Sequence, residues 1–263
     1  MTLFDGADEA GGTTAGPAVC KLVVAYDGAG FRGFAAQPDQ RTVAGVLAHG
    51  IEKVLRHPVE LTGAGRTDAG VHAWGQVVSF DALPGLDPDR LMASLNAMLG
   101  PEVVVRAADL VPAGFDARRS AHWREYRYTV CNRRVADPFL ARTSWHVPAP
   151  LDVRALRLAA DPFVGEHDFA SFCRKGPEGT TTVRRVLRSS WVEIGDGLLV
   201  YEVRATAFCQ QMVRAIVGTL VDVGLGRRRP GEMLGILRGR DRDLAGPLAP
   251  PEGLCLREVG YRP

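Results

Sequence analysis

The sequence predicts an α+β protein with a mainly antiparallel sheet and helices on one face of it. Three observations support this class. Short strand patterns alternate with two amphipathic helix patterns in the first half, and a looser version of this order returns in the second half. The third is that 46% of the 263 residues are hydrophobic, enough to bury a substantial core.

The first half has a strand, helix, strand, strand, helix, strand pattern. Thr42 and Asp87 are typical helix N-caps, and Pro88 suits a first helical position. The predicted elements are strand 19–26, helix 43–55, strands 59–61 and 74–80, a helix from residue 88, and strand 102–110. This order predicts a ferredoxin-like unit, an arrangement that RNA-recognition (RRM-like) domains share.

The second half repeats the theme in looser form, so we predict two such halves with a central active-site cleft. Its predicted elements are strand 122–131, a helix capped by Asp152, a hairpin of residues 183–194 and 198–205, and a helix over 208–223. We expect residues 1–17 to be a disordered leader, 18–113 the N-terminal half and 114–263 the C-terminal half, with the linker near residues 110–120.

Composition excludes several classes of protein. The longest apolar runs fall short of the roughly 20 residues of a membrane helix, and the first 17 residues lack the layout of a signal peptide. The five cysteines are scattered and never spaced as CxxC, which argues against a disulfide framework and a zinc site and favours a reducing cytoplasm. We therefore expect a cytoplasmic protein without a membrane segment or a metal.

Charge is informative only in its distribution. The formal net charge is +2, whereas arginines cluster in the later chain and could contact nucleic-acid phosphates. An ordinary solvated face is the alternative for each cluster. The clusters are Arg118-Arg119, Arg124, Arg127, Arg133-Arg134, Arg184-Arg185, Arg188 and Arg227-Arg228-Arg229.

One glycine-bounded turn combines an arginine, a carboxylate and an imidazole: residues 65–73, which contain Arg66, Asp68 and His72. Glycines at both sides allow positive φ or close approach to a ligand, and flanking strands would hold the turn rigidly. Asp68 is therefore the candidate reactive group. The structural alternative is an Asx-turn, in which Asp68 accepts backbone N–H groups and Arg66 is merely solvated.

Together with Gly75-Gln76-Val77 and Phe80, this turn resembles the signature GRTDAGVHA of the TruA family of tRNA pseudouridine synthases. The similarity runs from about residue 20 to the end of the chain. Phe34 stands where the family pattern usually has tryptophan. Further segments on both sides of this turn resemble other motifs of the family, in the same order along the chain. These segments are Tyr26-Asp27-Gly28, Glu125-Tyr126-Arg127-Tyr128, Asp168-Phe169, Met212-Val213-Arg214 and Gly253-Leu254.

The resemblance implies an isomerase that converts uridine to pseudouridine in the anticodon stem-loop of tRNA, around tRNA positions 38–40. The bond from ribose C1′ to uracil N1 breaks, and the base is rejoined through C5. No atoms are gained or lost, so no cofactor is implied. Asp68 takes the family position of the nucleophile, which attacks C1′ or uracil C6. A carboxylate suits this role because it is ionised at neutral pH.

The resemblance also implies substrate-binding roles. Arg66 would contact the stack or phosphates around the extruded base, and Tyr126 would stack on the flipped uracil and help to remove the C5 proton. His72 could touch RNA, although packing is the alternative that we favour. The resemblance further implies a homodimer that binds tRNA.

Arg214 lies at the margin of an apolar helix face, where an arginine must reach outward or pair with a carboxylate. The resemblance implies that its partner is Asp68, which would keep that carboxylate ionised in a closed pocket.

Two other functions fit part of the sequence. A noncatalytic RNA-binding or RNA-folding protein of two RRM-like halves would explain the arginines and strand aromatics, but not a carboxylate facing RNA at Asp68. A hydrolase with an aspartate nucleophile would need a second carboxyl group, for which Asp27 is the candidate.

Overall fold

The computed structural model describes residues 18–176 and 179–262. Contacts divide the chain into two compact units, one of residues 1–122 and 259–263 and the other of residues 123–258. The leader expected over residues 1–17 lies outside the described residues. The division falls between His122 and Trp123, beyond the expected linker, and the last five residues return to the first unit.

The first unit has the predicted order of elements. They are β1 Ala18–Tyr26, α1 Val43–Leu55, β2 Thr62–Gly63, β3 His72–Asp81, α2 Pro88–Leu99 and β4 Val103–Pro112. All pairs in its sheet are antiparallel, in the order β4-β1-β3-β2. This is the strand order of a ferredoxin-like unit. The strand expected at residues 59–61 is wrong, because pairing with β3 begins only at Thr62.

Local capping explains where the helices of this unit begin. The Thr42 side chain accepts a hydrogen bond from the Gly45 N–H, and the Asp87 carboxylate accepts from the N–H groups of Asp89 and Arg90. Each cap satisfies backbone donors that the first helical turn leaves open. The sequence-predicted starts of α1 and α2 are therefore confirmed.

The second unit combines an antiparallel sheet with three helices in its described part. Its elements are β5 Ala121–Cys131, β6 Trp145–His146, α3 Val153–Ala160, β7 Gly165–Asp168, β8 Val183–Gly195, β9 Leu198–Ala205, α4 Met212–Gly224, α5 Met233–Gly239 and β10 Leu254–Tyr261. Strands β5, β9, β8 and β7 pair antiparallel in that order, and the short β6 pairs parallel with β5. The predicted hairpin of β8 and β9 is confirmed, as is the α+β class with mainly antiparallel pairing.

Helix α4 begins later than expected. The apolar pattern predicts a helix over 208–223, but Gln211 adopts a left-handed conformation with φ of 65° and the helix starts at Met212. Before it, the Gln210 carbonyl accepts a hydrogen bond from the Arg174 N–H. A long-range contact therefore holds residues that the local pattern assigned to the helix.

The expectation that the cysteines form no disulfide is wrong. The sequence argued against disulfides, yet Cys173 and Cys209 form one, with Cα atoms 5.7 Å apart across 36 residues of chain. Their pairing depends on tertiary structure and leaves no spacing motif. Cys20 and Cys131 are buried outside this disulfide, and Cys255, also outside it, is half-buried.

Across residues 18–176 and 179–262, no helix combines the length and apolar character needed to cross a membrane. The same part of the chain holds no group of three or more His, Cys, Asp or Glu side chains that could ligate a metal ion.

Helix α4 is packed closely against the segment at residues 246–250. A Cβ added at Gly218 would lie 1.8 Å from the Pro247 carbonyl oxygen, so only glycine permits this approach. The Gly246 N–H donates to the Thr219 hydroxyl, and the Ala249 N–H donates to the Arg214 carbonyl. Glycine at position 218 thus fixes the distance between this segment and the helix.

We predict that Gly218→Ala lowers the free energy of unfolding by about 3 kcal/mol, because the added methyl group forces the two backbones apart. Urea unfolding measures this change. Gly235→Ala is the matched control, since a Cβ at that α5 position meets no heavy atom within 4 Å and should change stability by less than about 1 kcal/mol. Equal stability of the two variants would refute the close-packing account.

Candidate active site

The turn that carries the candidate reactive group joins β2 to β3. Along it the exposure alternates: Arg66 is exposed, Thr67 is buried and Asp68 is half-buried. The Val71 N–H donates to the Asp68 backbone carbonyl at 3.1 Å, which closes the turn. Buried Thr67 therefore anchors the backbone between two charged side chains.

Thr67 is held by the last residue of β1 and by the segment that follows this strand. Its hydroxyl shares a buried 2.8 Å hydrogen bond with the Tyr26 hydroxyl, and its carbonyl accepts from the Phe34 N–H at 3.1 Å. Gly33 has φ of 102°, and a Cβ there would lie 3.0 Å from the Thr67 carbonyl oxygen. The first sequence motif thus supports the second by direct contact.

Phe34, the departure from the family pattern, is a packing residue. Its ring is buried, stacks with Tyr26 at a centroid distance of 6.3 Å, and fills the space that a side chain at Gly63 would occupy. The position thus keeps an aromatic residue, which packs against Tyr26 of β1 and Gly63 of β2.

Gln76 fixes the start of the turn from β3. It is fully buried; its amide nitrogen donates to the Gly65 carbonyl at 2.8 Å, and its amide oxygen accepts from the Gly65 N–H at 3.3 Å. This paired contact satisfies the N–H and the carbonyl of Gly65. Burying either group without a hydrogen-bond partner would cost free energy of folding. Gln76 appears in the sequence motif, but its partner cannot be read from spacing.

His72 lies beneath the turn rather than on its surface. Its ring is buried, Nδ1 accepts a hydrogen bond from the Gly28 N–H at 3.1 Å, and the same nitrogen lies 3.2 Å from Asp27 Oδ1. A Cβ at Gly28 would meet the Val71 carbonyl oxygen at 2.1 Å, so glycine allows this approach. The expected contact of His72 with RNA remains a prediction.

Tyr126 is in the second unit, on β5. It pairs with Val203 of β9, is 7% exposed, and meets the Phe208 ring edge to face at a centroid distance of 5.0 Å. Two residues on, Tyr128 is fully buried and donates to the Pro250 carbonyl at 2.8 Å. Burial, assisted by the Glu252 carboxylate, raises the pKa of the Tyr128 phenol.

Arg214 is in the first turn of α4 and is half-buried. Its Nε donates to the Ala249 carbonyl at 2.7 Å, and the Ala249 N–H donates to the Arg214 carbonyl at 3.1 Å. These reciprocal bonds hold the start of the Arg214 side chain against residue 249. Sequence periodicity placed Arg214 on the helix but could not identify Ala249.

Several of the arginine clusters noted in the sequence are engaged by carboxylates. Arg127 Nε lies 3.0 Å from Glu202, and Arg188 lies 2.6 Å from the same side chain. Other such pairs are Arg119 with Asp116, Arg133 with Asp137 and Asp196, and Arg227 with Asp222. At these positions the arginines are paired with carboxylates of the protein, and their contact with nucleic-acid phosphates remains a prediction.

Comparison with known proteins identifies the class that this fold and these motifs define. The profile of the family described as tRNA pseudouridine synthase matches residues 22–118 and 159–262. The chain belongs to this family and is an isomerase.

Relatives share most of their length with this chain. Proteins named tRNA pseudouridine synthase A from Leifsonia xyli and Brevibacillus brevis are each 45% identical, covering 92% of this chain and 91% and 98% of their own sequences. The Myxococcus xanthus protein of the same name is 43% identical, covering 92% of this chain and 91% of its own. A solved archaeal box H/ACA sRNP Nop10-Cbf5 complex shares 13% identity with a TM-score of 0.36, covering 77% of this chain and 44% of that one, a likeness too weak to bear on function.

We predict that Tyr26→Phe loosens the turn, because it leaves the buried Thr67 hydroxyl without its 2.8 Å partner. Exchange of the Phe34 and Val71 amides should accelerate about fivefold, in line with the roughly 1 kcal/mol attributed to one hydrogen bond. Amide hydrogen exchange followed by mass spectrometry measures this.

The matched control for this prediction is Tyr261→Phe. It removes another 2.8 Å hydroxyl bond of the same unit, to the Ala117 carbonyl. Faster exchange of the turn amides in both variants alike would mean that the Tyr26 contact does not hold the turn specifically.

Proposed function

We propose that this protein isomerises uridine to pseudouridine in the anticodon stem-loop of tRNA, around tRNA positions 38–40, with Asp68 as nucleophile and without a cofactor. Family membership supports the reaction class. The observation that carries the assignment of Asp68 is its position next to buried Thr67, on a turn fixed by Tyr26 and Gln76. Such a turn holds a reacting carboxylate in one geometry.

The reaction conserves every atom of the nucleotide. In one route the Asp68 carboxylate attacks C1′, the C1′–N1 electron pair departs with uracil, and the base turns in the pocket. Carbon C5 then attacks C1′ and displaces the carboxylate, C5 loses its proton, and N1 gains one. In the other route the carboxylate first adds to uracil C6 and is eliminated at the end. Both routes regenerate Asp68.

The target base must leave the helical stack, which costs a few kcal/mol. Arg66 is exposed beside Asp68, so its guanidinium is available to contact phosphates or the vacated stack. Tyr126 has its ring braced by Phe208, which suits stacking on a flipped uracil, and its hydroxyl would help to remove the C5 proton. His72 supports the turn from below through Gly28, and any contact that it makes with RNA is secondary in this proposal.

Arg214 is proposed to pair with Asp68. Its Nε bond to Ala249 orients the guanidinium, and a cation beside a carboxylate stabilises the ionised form that attacks.

We propose that the enzyme acts as a cytoplasmic homodimer, with the partner subunit contributing to tRNA binding. Recognition would depend on the shape and backbone charge of the stem-loop, because several neighbouring uridines share one pocket.

The two alternative functions are less well supported. A noncatalytic RNA-binding protein gives no reason for a carboxylate on the rigid turn, since that charge repels RNA. A hydrolase would need Asp27 as acid or base, yet the Asp27 carboxylate caps the turn at Ala29 and lies 3.2 Å from His72 Nδ1. Asp27 is thus committed to local structure.

Asp68→Asn should reduce isomerisation by at least about 10³-fold while tRNA binding persists, because an amide cannot serve as the nucleophile. Tritium release from tRNA labelled at uridine C5 measures turnover, and intact strands and bases exclude hydrolysis. Asp81→Asn, at an exposed end of β3, is the matched control and should retain parental activity. Parental turnover by the Asp68 variant would eliminate the nucleophile.

Arg214→Met should lower kcat/KM by about 10²-fold while the fold stays intact, since the proposed cation beside the attacking carboxylate is lost. Arg214→Lys should restore part of this rate. Arg154→Met, on exposed α3 surface, serves as the control, and thermal unfolding of all variants checks the fold. Near-parental turnover by Arg214→Met would rule out the pairing with Asp68.

A further inference from the structure

A basic cavity of about 1010 Å³ lies in the second unit, between residues 170–176 and 179–182 on one wall and residues 240–242 on the other. In the described part of the chain, its lining includes the cationic side chains Arg174, Lys175, Arg240 and Arg242 and one carboxylate, Asp241. A concave site with this excess of positive charge attracts anions.

The two walls are joined by buried contacts. Ser171 is fully buried; its hydroxyl donates to the Ile236 carbonyl at 2.6 Å and accepts from the Asp241 N–H at 3.0 Å. On the first wall, Cys173 is bonded to Cys209, and the Arg174 N–H donates to the Gln210 carbonyl. The cavity is therefore preformed by the fold.

Two of the cavity's cations contact other groups of the protein. Arg240 Nε lies 3.0 Å from Asp168 Oδ2, and Arg242 Nη1 donates to the Gly246 carbonyl at 3.0 Å. Arg174, Lys175 and Arg240 are exposed, and Arg242 is half-buried. Oriented guanidinium groups beside solvent-facing cations suit contacts with phosphate oxygens.

The lining favours the backbone of a nucleic acid over its bases. None of the described lining residues is aromatic; apart from the Asp241 carboxylate they are cationic, hydroxyl, amide, glycine and other small side chains. A base would be bound by stacking on an aromatic ring, whereas phosphates need only cations and donors. The contact would therefore be independent of sequence.

The cavity is linked to the candidate active site through α4. Gln211, which lines the cavity, is the residue immediately before α4, and Arg214 lies in the first turn of that helix. A strand of RNA whose backbone occupies the cavity would thus run close to Arg214.

We propose that this cavity, defined by Arg174, Lys175, Arg240 and Arg242, binds phosphate groups of the tRNA substrate and contributes affinity without taking part in the chemistry. The assignment of tRNA as ligand rests on the proposed function. The lining chemistry by itself points to a polyanion.

The test uses the full chain with the double variant Arg174→Gln/Lys175→Gln, because these two exposed cations can change without disturbing Arg240 or Arg242. Fluorescence anisotropy with labelled full-length tRNA measures Kd between 50 and 300 mM KCl, and tritium release measures turnover. The matched control, Lys53→Gln/Arg154→Gln, removes one lysine and one arginine from exposed helix surfaces outside the cavity. Arg174→Lys/Lys175→Arg keeps the charge.

The cavity variant should bind tRNA about tenfold more weakly near 100 mM salt, and the slope of log K against log salt should fall by about 1 to 2. Its kcat at saturating tRNA should stay within about twofold of the parental value, and the control and charge-preserving variants should match the parent. Unchanged affinity and slope in the cavity variant overturn the inference. Equally effective competition by poly-glutamate at the same charge concentration assigns the cavity to acidic polypeptides and also overturns it.

The outcomes separate this inference from the proposed function. If the parent isomerises tRNA but the cavity variant binds like the parent, only the cavity assignment fails. If the parent binds tRNA through the cavity but forms no pseudouridine, the proposed function fails and the binding site stands.

Discussion

The buried hydrogen bond between the Tyr26 and Thr67 hydroxyl groups is the contact on which the rest of the site depends. It brings the end of β1 against a turn that lies 41 residues later and places Thr67 inward. On either side of Thr67, Arg66 is exposed and Asp68 is half-buried. Gln76 fixes the same turn from β3. A core contact thereby holds the turn that carries these two charged groups.

The second unit orients its own candidate residues by a different means. A glycine at position 218 lets residues 246–250 approach α4 so closely that Ala249 and Arg214 bond reciprocally. Tyr126 is braced by an aromatic edge at Phe208. In both units, small residues and buried polar pairs place the side chains, so the chemistry depends on the scaffold as much as on the groups that react.

The sequence predicts a structural feature correctly where the interactions that cause the feature lie within a few residues of it. The caps Thr42, Asp87 and Asp152 mark the starts of three helices, because each satisfies donors within its own first turn. The sequence does not predict a feature whose cause is a contact with a distant part of the chain. Neither the left-handed Gln211 before α4 nor the joining of Cys173 to Cys209 leaves a local pattern. The same holds for the site: the motif indicates Asp68, whereas its supports and the basic cavity require tertiary contacts.

The most direct measurement of the central claim uses tRNA in which 5-fluorouridine replaces uridine. Fluorine at C5 cannot leave as a proton, so a covalent intermediate on the attacking side chain should persist. Mass spectrometry of the digested complex should then locate the nucleotide on the peptide that contains Asp68. A nucleotide attached to another residue, or none attached by an enzyme that isomerises ordinary tRNA, would contradict the account.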